Sequence, residues 1–297
     1  MTNLKSIIAI LFISISFFCG YAQEAEFKID AVTKTGDTYP CVSKDGKLVL
    51  FSSNRDGDND LYVYNTEDKT TKRLTDLAGD ESQPDISPDG TKLTFYATVG
   101  DVEKGLREIY MSDIDGSNIK RLTDHGLTTF HPKFTPDGKK VLYNKQVSAE
   151  EDRFEFYTVD IATGEKELIL TDTKSITFGS FSPDGSKLVF VKWMEGMDTE
   201  VFLADADGSN QINISNNSLF NGWPTWTQDG KSVIFASDKD KKFHFHLYKY
   251  NLDTKKVSKI TEGDRQFIQA TASMDTVYAN SNYTRDSSSQ IIAFPLK

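Results

Sequence analysis

The sequence predicts an all-β fold: a six-bladed β-propeller with four antiparallel strands per blade, closed by an N-terminal strand that completes the last blade. Three observations lead there. One turn motif recurs along the chain, the segments between its copies alternate like strands, and the last unit is one strand short. The turns are SKDG at Ser43–Gly46, SPDG at Ser87–Gly90, TPDG at Thr135–Gly138, SPDG at Ser182–Gly185, TQDG at Thr227–Gly230 and a decayed SMDT at Ser273–Thr276. Their aspartates, Asp45, Asp89, Asp137, Asp184, Asp229 and Asp275, stand 44, 48, 47, 45 and 46 residues apart. A chain of 297 residues is long enough for two domains, but the repeat fills residues 23–297 as one.

Within a unit the turn joins a first strand to a second, such as Lys47–Ser53, Lys92–Thr98 or Lys187–Trp193, rich in β-branched and aromatic residues. Pro presets φ, Asp bonds the backbone and Gly takes φ > 0, which is why this motif turns the chain. A loop of variable length leads to the third strand: Asp60–Asn65, Glu108–Asp113, Glu155–Asp160, Glu200–Asp205 and His246–Asn251. A second tight turn, DIDGSN at Asp113–Asn118 or DADGSN at Asp205–Asn210, leads to the fourth. Four antiparallel strands repeated in this way make a propeller blade. The blades are expected at about 36–75, 80–123, 128–171, 175–215, 219–261 and 265–297. The sixth stops after three strands. The stretch at about 26–33 has no unit of its own and is expected to close the ring, because an open ring leaves unpaired edges.

Residues 1–22 read as a signal peptide. Lys5 precedes the apolar run Ile7–Phe18, and Gly20 and Ala22 hold the small positions before Gln23. That run is too short to span a bilayer. A lipid anchor on Cys19 needs a small residue before it, and Phe18 stands there. The mature chain is expected in the periplasm or secreted, with Cys41 as its one thiol and hence no internal disulfide. With 44 acids against 34 bases the net charge is −10, which argues against nucleic acid as a partner.

The pattern P-x-[FIW]-[ST]-P-D-G, then acid-Ile-Tyr, D-x-D-G-S-N and R-L-T, resembles the propeller repeat of the TolB family. Gln83–Thr123 is the best copy, and the likeness runs over about 270 residues. It implies a periplasmic propeller that binds an outer-membrane lipoprotein. TolB also carries an α/β domain before its propeller, for which about a dozen residues after the cleavage site leave no room. The same repeat occurs in peptidase accessory domains and sugar-acid lyases, so it names a fold rather than an activity.

Candidate chemistry is sparse. No G-x-S-x-G elbow is present, and Cys41 on an innermost strand reads as an inert buried thiol. His244 and His246 alternate along a strand, and His131 begins an innermost strand. Together they are the candidate divalent-metal ligands, against the commoner reading as packing residues. Asp60, Glu108, Glu155 and Glu200 recur once per blade before the third strand, either as a fold device or as an acidic ring for a basic partner. Tyr39, Phe130, His131, Phe178, Phe220, Trp223 and Phe267 enter the innermost strands and are the candidate binding residues at the channel mouth, some of them core. The expected function is a non-catalytic protein- or peptide-binding scaffold of the cell envelope, without a cofactor. The alternative is a metal-dependent lyase or hydrolase acting on acidic oligosaccharides.

Overall fold

The computed structural model describes residues 27–28, 36–100, 105–217, 219–282 and 289–296. They form six four-stranded antiparallel sheets, and no helix occurs among them. The innermost strands are Thr38–Val42, Glu81–Ile86, Thr129–Phe134, Ile176–Phe181, Asn221–Trp226 and Gln266–Ser273, one for each of blades one to six. In the sixth blade Thr276–Asn282 and Ser289–Pro295 follow, and Phe27–Lys28 takes the outermost place. Phe27 pairs with Ala293 and Lys28 with Ile292, so the N-terminal strand closes the ring as expected. The segment 1–22, with Cys19 and Ala22, and the remainder of 26–33 lie outside the described residues. Among those described, no helix is long and apolar enough to cross a membrane.

One network builds the turn between the first two strands in blades one to five, while in blade six Ser273 Oγ donates to the Lys44 carbonyl instead (3.3 Å). In blade two Ser87 Oγ donates to Asp89 Oδ1 (2.6 Å), which also accepts the Thr91 N–H (3.0 Å), and the Gly90 N–H returns to the Ser87 carbonyl (2.8 Å). Gly90 sits at φ +73°, open to glycine without cost. The Ser87 hydroxyl first, then the Thr91 groups, hold the Asp89 carboxyl down at about 2. The same Ser/Thr-to-Asp bond recurs at Asp45, Asp137, Asp184 and Asp229.

The core is divided six ways. Each apolar cluster joins two neighbouring blades, as Val141, Tyr143 and Val159 of blade three meet Tyr96, Ile109 and Leu122 of blade two. The seam between blades six and one has its own: Tyr278, Ile291 and Ala293 against Val49, Phe51, Tyr62 and Tyr64. Burying each such large side chain contributes about 1.5–3 kcal/mol. Turn glycines fit between blades too. A Cβ on Gly116 (φ +86°) would lie 2.2 Å from the Leu74 carbonyl oxygen of the preceding blade, so the D-x-D-G turn is an interlock as well as a reversal.

Blade three departs from expectation. The variable loop expected before the third strand at Glu155 is mostly strand here: Lys140–Ser148 and Glu151–Asp160 run through it, with Gln146 opposite Phe154 and Ser148 opposite Glu151. Residues 145–153 are mostly polar and none of them is buried, so the ladder extends beyond the core. His244 differs as well. Its strand begins only at His246, because turn bonds such as His244 N–H to the Lys241 carbonyl (2.9 Å) hold the preceding residues in a loop.

Candidate functional site

Every innermost strand has an irregularity at the same place. Its register with the second strand slips between Thr38 and Cys41, Ser82 and Asp85, Phe130 and Lys133, Thr177 and Ser180, Gly222 and Thr225, and Ile268 and Ala270. At the slip one residue takes left-handed φ: Tyr39 (51°), Gln83 (58°), His131 (52°), Phe178 (56°), Trp223 (50°) and Gln269 (50°). Each stands six residues before its turn aspartate, or Asp275 in blade six. In four strands the next residue is Pro, which lacks the N–H that a bulge leaves unpaired. Such strain in bulky residues persists only where neighbours enforce it, and it concentrates at functional sites.

The neighbours are visible. Gln269 Oε1 accepts the Tyr39 N–H (3.1 Å), Gln83 Oε1 accepts the His131 N–H (2.7 Å), and Asn144 Oδ1 accepts the Phe178 N–H (3.1 Å). Each bond passes from one blade to the next. Five of them, Tyr39, Gln83, His131, Trp223 and Gln269, line a channel cavity of about 230 Å³ together with residues that follow, and blade four contributes Ser180 and Phe181 to it. Burial raises the Tyr39 phenol above its ordinary pKa and drops His131 well below its own, so the ring is neutral at neutral pH. Two residues deeper lies a polar tier of Cys41, Asp85, Lys133, Ser180, Thr225 and Thr271. Lys133 Nζ pairs with Asp85 Oδ1 (2.9 Å), and burial, helped by Asp85, pushes the Cys41 thiol up to about 12. A thiol so placed is no nucleophile.

Half of the mouth is aromatic. Ring-to-ring contacts run from Phe154 to Phe130 (4.9 Å), Phe130 to Phe178 (6.0 Å), Phe178 to Trp223 (6.1 Å), Trp223 to Phe220 (5.3 Å) and Phe220 to Phe245 (5.4 Å). His131 stands edge-on to Phe178 at 5.0 Å. The arc spans blades three to five, and the opposite side of the ring is Gln269, Tyr39 and Gln83. Tyr39, His131, Phe178 and Trp223 therefore sit in the ring itself, and Phe130 and Phe220 back them. Phe267, 2% exposed, packs in the cluster between blades five and six. Composition alone missed Gln83, Gln269, Phe154 and Phe245. Counting six back from each turn aspartate finds the two glutamines.

Beyond this geometry stand the comparisons. The family model described as the Tricorn protease N-terminal beta propeller domain matches residues 58–283. The chain belongs to that family. Among solved structures, this tricorn-type propeller is similar to TolB from Acinetobacter baumannii, at 20% identity and a TM-score of 0.65, over 83% of this chain and 56% of that one. A putative TolB from Agrobacterium tumefaciens is similar at 21% identity and TM-score 0.65, over 88% and 91% of the two chains. An oligogalacturonate lyase in complex with manganese is similar at 14% identity and TM-score 0.61, over 93% and 94%. At these identities the likeness is one of fold. A curated relative, the uncharacterized peptidase YuxL of Bacillus subtilis (strain 168), is 34% identical over 83 residues, which span 24% of this chain and 13% of that protein.

Within the tricorn-type frame, the recurring acids are buried. Glu108 accepts the His125 (2.7 Å) and Gly126 (3.1 Å) N–H groups and the Thr123 hydroxyl, and it pairs with Arg121 (3.2 Å). Glu200 accepts the Asn217 N–H (3.1 Å) and the Ser215 hydroxyl. Glu155 is 9% exposed at the same position, and Asp60 pairs with Arg73 at 2.8 Å. His246, the equivalent in blade five, stands 5.0 Å from His244 between ring centres, while His131 lies on blade three. Among the described residues no three of His, Cys, Asp and Glu converge to hold a metal, so His131 does not join the pair.

Asp60 is a shorter acid, and Glu81 of the next blade fills the gap, its Oε2 accepting the Leu77 N–H at 3.4 Å. Burial, and the neighbouring Asp60, raise the Glu81 pKa well above the carboxylate range. A raised folded-state pKa adds stability that is complete below the unfolded value of about 4.3 and is lost as pH climbs through the folded one. Glu81→Gln, a neutral mimic, is therefore expected to gain on the wild type between about pH 5 and about pH 9, by about 1–2 kcal/mol once screening is allowed for. Urea unfolding at both pH values checks this. A difference that stays constant with pH would refute the assignment.

Proposed function

We propose that the chain is a non-catalytic binding propeller of the cell envelope, which captures a protein or peptide partner at the channel mouth. The aromatic arc over the left-handed ring carries this reading: rigid aromatic side chains on strained backbone, rimmed by the variable loops, on an otherwise polar disc. Anchors of this type supply most of the energy in protein interfaces. The apolar run Ile7–Phe18 and the small residues before Gln23 support export to the periplasm. Lyase or hydrolase chemistry on acidic oligosaccharides would draw on His131, His244 and His246, and their placement does not favour it.

The test starts from a partner captured from envelope extract and then purified. Its affinity is expected to fall by about 2 kcal/mol or more with Trp223→Ala or Phe178→Ala. Lys139→Ala, on the opposite turn face, should leave affinity unchanged. Circular dichroism confirms the fold in each variant. A loss confined to Lys139→Ala would put the binding face on the turn side of the disc and overturn the mouth reading.

A further inference from the structure

We propose that the Lys241–Phe243 tip of blade five is a second element of the binding surface, and that it takes an acidic peptide segment carrying an apolar anchor. This rests on the reading of the channel mouth as the landing site and names the chemistry of what lands there.

Phe243 is 61% exposed and sits at φ 59°. A bulky residue there is strained, and an exposed ring gains nothing from the solvent. One buried group enforces the arrangement. The Asp238 carboxylate, 1% exposed, accepts the Phe243 N–H on Oδ2 (2.8 Å) and the Phe220 N–H on Oδ1 (3.0 Å). The Lys241 N–H closes the same turn on the Asp238 carbonyl (3.0 Å). A single carboxylate thus fixes both an aromatic of the mouth and the ring at the tip. Phe245, two residues on, contacts Phe220 at 5.4 Å and Trp223 at 6.2 Å, so tip and arc form one continuous surface. Such a surface needs no ordering when a partner arrives.

Charge selects the partner. Lys241 and Lys242 are exposed and make no ion pair among the described residues. Lys72, Lys120 and Lys231 are likewise exposed without an ion pair among the described residues, so what singles out the tip is the exposed ring beside its lysines. The Lys242 ammonium lies 5.2 Å from the Phe243 ring centre, keeping cation and apolar face together. On a chain of net charge −10, two unpaired lysines beside an exposed ring favour an acidic segment that carries an apolar group, and the local charge bears on where it docks and how fast. The same net charge disfavours an anionic bilayer, which would meet the whole disc rather than one loop.

The probes are short fluorescent peptides: a Glu-rich one with a central Phe, its counterpart with Lys for Glu, and one with Ser for Phe. Anisotropy with the mature chain is expected to show binding of the Glu–Phe peptide alone, weakening with added NaCl. K241E/K242E and Phe243→Ala should each weaken it by about tenfold or more. If Trp223→Ala abolishes binding while the tip variants bind like wild type, the tip proposal fails and the mouth reading stands. Loss in the tip variants alone keeps the tip and removes the mouth. No binding by the wild type, equal binding of the Lys peptide, or Phe243-dependent sedimentation with phosphatidylglycerol vesicles would each overturn the proposal.

Discussion

A chain that starts at Gly36 is expected to unfold with about 3–5 kcal/mol less free energy than one that starts at Gln23, a large loss by the standard of single changes. Five of the six junctions between blades are covalent, since each outer strand runs on into the next blade's innermost strand. The junction of blades six and one is made by the N-terminal strand, through Phe27 on Ala293 and Lys28 on Ile292. Without it the seam keeps its apolar cluster, the Asp37 N–H to Ser289 carbonyl bond (2.9 Å) and the Tyr39–Gln269 bond, but the two blades are free to part. At roughly 2 °C per kcal/mol for a chain of this size, the melting temperature should fall by roughly 6–10 °C. A truncated protein melting with the intact one would show that packing alone holds the seam.

The second large effect is expected at Glu108. Replacing it by alanine leaves the part-buried His125 and Gly126 N–H groups and the buried Thr123 hydroxyl without their acceptor, and Arg121 without one of its partners. Removing one member of such a buried charged network costs about 3–5 kcal/mol. Glu108→Gln keeps the shape and one acceptor oxygen and should cost roughly half as much. Chemical denaturation measures both. This pair also separates the two readings of the recurring acids. If Glu108→Ala unfolds like wild type yet loses the partner, the acids serve recognition and not the fold.

Period and turn chemistry made the architecture legible, since SPDG and its variants state both the reversal and the phase of every blade. The ring at the mouth was legible only in part. Tyr39, His131, Phe178 and Trp223 were found by residue type, which also drew in Phe267, two positions away from Gln269 and facing the core. Gln83 and Gln269 escaped because their amides look like ordinary surface groups, whereas they receive backbone N–H groups from the next blade. The left-handed backbone itself has no signature in the sequence. Nothing in the types Tyr, His, Phe and Trp asks for positive φ, and the slip in strand register imposes it. The acids before the third strand were visible as a repeat, but their partners lie 15–18 residues further on, across a turn and a whole strand.

The closing strand also has a consequence in time. Phe27 and Ala293 lie almost the length of the chain apart, so the contact that shuts the ring has the highest loop-closure cost in the molecule and forms last. Blades one to five can assemble in order as the chain emerges, each onto the one before it. The first strand made must meanwhile wait, unpaired, for the last. Once Ser289–Pro295 is in place and until the clasp docks, the propeller presents that strand's edge to whatever strand is nearest, including the corresponding N-terminal strand of another copy. Exchange of this clasp between neighbours is therefore the misassembly this topology invites, and dilute refolding is the condition that avoids it.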